Sequence, residues 1–205
     1  MDRSQNPAAC PMRAGRVAIA IIIVLLFTVA RADTIEQRVL RHAPPLPQRL
    51  DTLQSKYRCP ITAYLTQIHR RPLAKKDRYL ILWSAGRPEF YVQCMFFDED
   101  RQIHCEASSG YYGEKIAGFA TPTKLAALAS LGFSTDASAG NFVQERPVAD
   151  VEALYDIAGI LVETLVRVYD LGTADLLLHN APLAPLVPRY LTDGSRHCPA
   201  LISVR

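Results

Sequence analysis

The sequence predicts an α+β domain: an antiparallel sheet, built from a three-strand meander plus a fourth strand, packed against helices. Three observations carry that prediction. Phe90 to Ser109 reads as two apolar-patterned strands flanking the acidic turn Asp98-Glu99-Asp100-Arg101, a β-hairpin signal. Tyr79 to Ser84, YLILWS, is apolar enough for a neighbouring strand, and Gly86-Arg87-Pro88 turns it into the hairpin. Val151 to Leu171 sets Leu154, Ile157, Leu161, Leu165 and Val168 at helical spacing, one stripe that can cover a sheet face.

The hairpin register follows from the turn. With Phe97 opposite Gln102, Cys94 falls opposite Cys105, Phe96 opposite Ile103, and Val92 opposite Ala107. Side chains alternate along a strand, so these residues share one apolar face. Met95, His104, Gln93 and Glu106 share the other, which is more polar. The face carrying Phe90, Val92, Cys94 and Phe96 is expected to lie beneath helices.

The N-terminus reads as an export leader, residues 1–32. Arg3, Arg13 and Arg16 precede Val17 to Val29, an uncharged apolar run of 13 residues. That is short of the roughly 20 needed to span a bilayer. Ala30-Arg31-Ala32 then fits a small-x-small cleavage pattern. An uncleaved N-terminal anchor is the alternative, and membrane association is expected only through it. Of the 23 basic and 20 acidic residues, the leader holds four and one, which leaves 19 of each. The mature chain is therefore neutral, and nucleic-acid binding loses its support. The charge is uneven, with 11 basic and 4 acidic side chains in residues 33–88.

Cys10 leaves with the leader, so four cysteines remain: Cys59, Cys94, Cys105 and Cys198. An even count in an exported chain favours disulfides and a periplasmic or secreted location. The register favours Cys94–Cys105, which leaves Cys59–Cys198; two buried free thiols at Cys94 and Cys105 are the alternative.

In chain order, residues 33–74 read as a helical segment. Thr34 with Gln37 resembles a capping box for a short helix to His42, ended by Pro44, Pro45 and Pro47. Leu50, Leu53 and Tyr57 suggest a second helical piece. Pro60 interrupts it or opens a third, whose face is Ile61, Tyr64, Leu65 and Ile68; this helix, residues 60–71, is expected to pack on the sheet. The sheet and its helices span residues 75–180. Thr121-Pro122 caps a helix through Leu125 and Leu128 that Gly132 stops. Asn141 to Arg146 is the fourth strand. Asp150 caps the long helix, and Gly172 stops it. Leu176 to Leu178 is a short apolar run, and the three prolines of Ala181 to Pro188 make residues 181–205 an irregular tail.

No catalytic constellation stands out, and the chain is read as non-enzymatic. His104 and Cys105 are adjacent in a strand and point to opposite faces, so they do not form a nucleophile–base pair. His69, His104, His179 and His197 lack the close spacing of zinc ligands. Asp98, Glu99 and Asp100 lack the alternation of a calcium loop. No metal or cofactor is expected. Tyr111 and Tyr112 are the candidate surface for a ligand or partner.

The order of elements resembles the type III secretion chaperone-like fold, and more narrowly the bacterial TY-Chap-type domains of that superfamily. The likeness rests on Tyr91-Val92-Gln93, on Glu106-Ala107-Ser108-Ser109, and on Leu125-Ala-Ala-Leu128 leading into Leu131-Gly132-Phe133. Asn141-Phe142, at the end of a polar loop, completes it, and it covers about Ile61 to Leu177. The resemblance implies a non-enzymatic module that binds a protein segment, often as a homodimer, with no catalytic residues to transfer. The leader makes this an exported variant. A periplasmic small-molecule or envelope-ligand binder is the alternative expectation.

Overall fold

A computed structural model describes residues 44–72, 76–111, 119–138, 140–184 and 196–198, all within one compact unit, Pro44–Arg205. The leader, the expected helix over Thr34–His42, Tyr112 and most of the tail lie outside the described residues. The described elements are α1 (Leu46–His69), β1 (Tyr79–Ser84), β2 (Arg87–Phe97), β3 (Gln102–Ala107), α2 (Pro122–Ser130), β4 (Phe142–Pro147), α3 (Val151–Arg167) and β5 (Leu177–Asn180). The strands form one open, five-stranded antiparallel sheet in the order β4-β3-β2-β1-β5. The fold class is α+β, as the periodicity predicts.

Helix α1 begins directly after Pro45, with Pro47 in its first turn, where a missing N–H forfeits no helical bond. It then continues through Pro60, so the expected break does not occur. Pro60 leaves the carbonyl of Lys56 without its helical donor, at a cost of about 3 kcal/mol. Lys56 is exposed, so water can take that place. Leu53 on one side of the proline and Ile61, Leu65 and Ile68 on the other are all buried in the same core, which holds both halves on one line.

The hairpin has the expected register: Cys94 faces Cys105, Phe96 faces Ile103 and Val92 faces Ala107. Its turn is tight, with Asp98, Glu99 and Asp100 all at positive φ. Buried Arg78, just before β1, fastens this turn to the end of α1. It pairs with the Asp100 carboxylate and donates to the carbonyls of Arg71 at 2.7 Å and His69 at 3.3 Å.

Leu80, Leu82, Val92, Cys94, Phe96, Ile103, Cys105, Ala107 and Phe142 make the covered face of the sheet, and all are buried. Helices α1 and α3 lie over it and cross closely. Gln54 Nε2 donates to the Gly159 carbonyl at 2.8 Å, and Arg58 Nε to that of Tyr155 at 2.9 Å. A Cβ on Gly159 would sit 2.8 Å from the Arg58 guanidinium carbon, so a larger residue here would displace that side chain. Each fully buried leucine in such a layer contributes about 1.5–3 kcal/mol.

Asp150 caps α3 as expected, its Oδ1 accepting from the Ala153 N–H at 2.9 Å. Asp150→Ala should lower stability by about 1 kcal/mol. A urea titration checks this, and an unchanged midpoint would contradict it. The helix ends at Arg167, not at Leu171. Asp170 takes a left-handed φ of 56° and holds an ion pair with Lys124 at 3.1 Å. Its carbonyl accepts from Arg87 at 3.1 Å, and the Leu171 N–H turns back to the Leu165 carbonyl at 2.9 Å. Val168, Tyr169 and Leu171 stay buried beyond the helix, so the apolar stripe outlasts the helical backbone. Burial pushes the Tyr169 phenol pKa well up, and its hydroxyl donates to the Ser108 carbonyl at 2.7 Å.

The fifth strand was expected only as an apolar run. Four residues are too few for a periodic signal. The outer edge of β1 supplies the template: Leu82 faces His179, and the Ala85 N–H donates to the Leu176 carbonyl at 2.9 Å.

Two disulfides are present. Cys94–Cys105 joins β2 to β3 within the covered layer, with Cα atoms 4.1 Å apart and both residues 1% exposed. The free-thiol alternative is therefore set aside. Cys59–Cys198 ties α1 to the C-terminal tail across a sequence separation of 139. Beside it the His197 ring stacks on Tyr155 with centroids 4.9 Å apart, and Glu152 accepts from the Arg196 N–H at 2.8 Å. Arg58 lies over the Tyr155 ring at 3.7 Å.

Candidate functional site

The alternation that buries one side of each strand turns the remaining side chains to the opposite face of the sheet. β1 contributes Tyr79, Ile81 and Trp83. β2 contributes Tyr91, Gln93, Met95 and Phe97. β3 contributes Gln102, His104 and Glu106, β4 Val143 and Glu145, and β5 Leu178 and Asn180. An antiparallel sheet with one solvated face ordinarily makes that face polar. Here Met95 is 52% exposed and Phe97 36%, side by side on the central strand. Tyr79, Ile81 and Trp83 beside them are half-buried. No described helix packs on this face.

A pocket of about 140 Å³ opens on it, walled by Tyr79, Ile81, Met95, Gln93, His104 and Glu106, with Cys94 at its floor. Its polar wall is held by a network. Glu106 Oε2 accepts from Gln93 Nε2 at 3.0 Å and from Asn141 Nδ2 at 2.8 Å. The same Asn141 nitrogen donates to the Tyr91 hydroxyl at 2.9 Å, and its Oδ1 accepts from the Ser109 N–H at 3.2 Å. Asn141 therefore ties β2, the end of β3 and the start of β4 together beside the pocket. His104 stands between two carboxylates, 3.4 Å from Glu106 and 3.3 Å from Glu145, and is charged only when protonated.

The ring nitrogens of His104 face carboxylates, and that of His69 faces the Asp100 carbonyl at 3.3 Å. Neither pairs with a hydroxyl or thiol that a base would activate. Among the described residues no cluster of three or more His, Cys, Asp or Glu is placed to hold a metal. Among them, too, no helix is long and apolar enough to cross a membrane.

The sequence-predicted positions fall elsewhere. The four cysteines form the two bridges, on the covered face and at the tail, and do not line up as one site. Tyr111 is 57% exposed beyond the end of β3, its N–H donating to Ser109 Oγ at 3.1 Å. Tyr112 lies outside the described residues. The open face itself was legible in part. Strict alternation in Tyr79 to Ser84 places Tyr79, Ile81 and Trp83 together, and the hairpin register adds Met95. The hairpin pattern also gives the covered side, that of Val92, Cys94 and Phe96, which is buried as expected; for β1 the alternation alone does not say which of its sides joins it.

No family model, no curated protein and no solved structure matches this chain.

Proposed function

We propose that this chain is a non-enzymatic, exported protein-interaction module that binds a protein segment, or a second copy of itself, on the open face of its sheet. The observation that carries this is the apolar group Tyr79, Ile81, Trp83, Met95 and Phe97 on a face that no described helix covers. Contiguous exposed apolar surface on a soluble domain marks an interaction site more often than an ornament of the fold. The chaperone-like order of elements read from the sequence supports the same role. The two disulfides are consistent with an oxidising periplasmic or extracellular setting.

The pocket favours a protein partner over a free small ligand. Its volume of about 140 Å³ suits one inserted side chain. Drug-sized ligands occupy pockets of about 300–1,000 Å³.

Met95→Lys places a charge in the centre of the apolar group without touching the core. The variant should keep the wild-type unfolding midpoint and lose the partner that the wild type retains through purification from the exported fraction. Analytical ultracentrifugation of both proteins reports self-association in the same experiment. A wild type that is strictly monomeric and captures nothing sinks the proposal.

A further inference from the structure

Resting on that reading, we infer that the segment which docks on the open face is basic and amphipathic: an apolar stripe flanked by Lys or Arg. The face is divided along its length. The half formed by β1 and β2 presents Tyr79, Ile81, Trp83, Met95 and Phe97. The half formed by β3 and β4 presents Glu106 and Glu145, with His104 between them. No Lys or Arg stands at any paired position of this face. A partner covering both halves therefore meets apolar surface along one line and carboxylates along the next.

The pocket lies on the seam between the halves, with Tyr79, Ile81 and Met95 on one wall and His104 and Glu106 on the other. A Lys or Arg side chain fits that asymmetry. Its methylene stem lies along Met95 and Tyr79, and its charged end reaches Glu106. The Glu106 carboxylate is fixed in advance by Gln93 and Asn141, so binding does not have to order it. Glu145 is 62% exposed at the rim and supplies a second negative charge within the partner's reach. An acidic segment would instead meet two carboxylates with no Lys or Arg of the face to answer it.

The test uses the intact exported protein and two synthetic helical peptides. Both carry the same leucine stripe; one flanks it with Lys, the other with Glu. Trp83 is the chain's single tryptophan and sits on this face, so its fluorescence reports occupancy. At low salt the lysine peptide should shift Trp83 emission and bind more than about tenfold tighter than the glutamate peptide. Added salt should narrow that gap. Glu145→Gln, a surface change, should weaken the lysine peptide about threefold to fivefold, as befits one exposed charge contact. Glu106→Gln should do the same with its hydrogen bonds largely kept.

Equal binding of both peptides, abolished by Met95→Lys, would overturn the charge inference and leave the interaction reading standing. Tighter binding of the glutamate peptide would overturn it in the same way. No Trp83 response to either peptide, with a wild type that neither dimerises nor holds a partner, would remove both. A dimer that Met95→Lys converts to monomer would make the occupant a second copy and overturn the basic-segment assignment.

Discussion

Replacing Cys59 and Cys198 together by serine should lower the stability of the domain by about 5 kcal/mol. The bridge spans a sequence separation of 139, and the chain-entropy cost of opening so long a loop in the unfolded state is of that size. The non-covalent clasp of His197 on Tyr155 and of Arg196 on Glu152 lies at an exposed edge and recovers little of the loss. A guanidinium titration of oxidised wild type against the double variant reads the difference directly. A loss below about 1 kcal/mol would mean that the unfolded chain is already compact, and would contradict the expectation. The hairpin bridge closes a separation of only 11, so the same reasoning assigns it less, about 3 kcal/mol.

Arg78→Ala should cost about 3–5 kcal/mol. Arg78 is only 7% exposed and faces Asp100, which is 14% exposed. A buried ion pair contributes modestly as a pair, because both charges were taken out of water to make it. Removing one partner is different: Asp100 keeps its charge without a counterion, and the carbonyls of His69 and Arg71 lose their donor. Asp100→Ala leaves the guanidinium unpaired and should cost a comparable amount. The double variant should then lose much less than the two single losses combined. Chemical denaturation of the three variants gives the coupling. Strict additivity would show that the two side chains act independently.

The parts of the fold legible in the sequence are those fixed by local rules. The hairpin register needs only the turn and strict alternation, and it places Cys94 opposite Cys105. The cap of α3 needs only Asp150 ahead of a helical stripe. What local rules miss is decided by contacts made elsewhere in the chain. Pro60 fails to break α1 because Leu53 and Ile61 are buried in a common core. The α3 stripe runs past the helix end because Asp170 is held by Lys124 and Arg87, which are remote in sequence. β5 exists because β1 offers an edge to pair with.

The candidate site obeys the same division. Each strand's alternation names the residues of both faces, yet nothing local to YLILWS says which face helices α1 and α3 will take. Only the packing of the helices on the Leu80 and Leu82 side leaves Trp83 and Tyr79 outward. Tyr111 and Tyr112 stand out in the sequence as neighbouring aromatics between glycines, a compositional signal. Glu106 stands on the polar face that the hairpin register gives, and Asn141 at the start of the fourth strand, but nothing local pairs the two as the polar wall of the pocket.

The order of the cysteines along the chain sets a task for biosynthesis. Synthesis runs from the N-terminus, so Cys59, Cys94 and Cys105 are all made before Cys198. Cys59 waits without its mate while two other thiols are at hand. The hairpin brings Cys94 and Cys105 together from a separation of only 11 residues, and joining them removes both competitors. A bridge between adjacent rungs closes the shorter loop at the smaller entropy cost, which favours it over a pairing of either cysteine with Cys59.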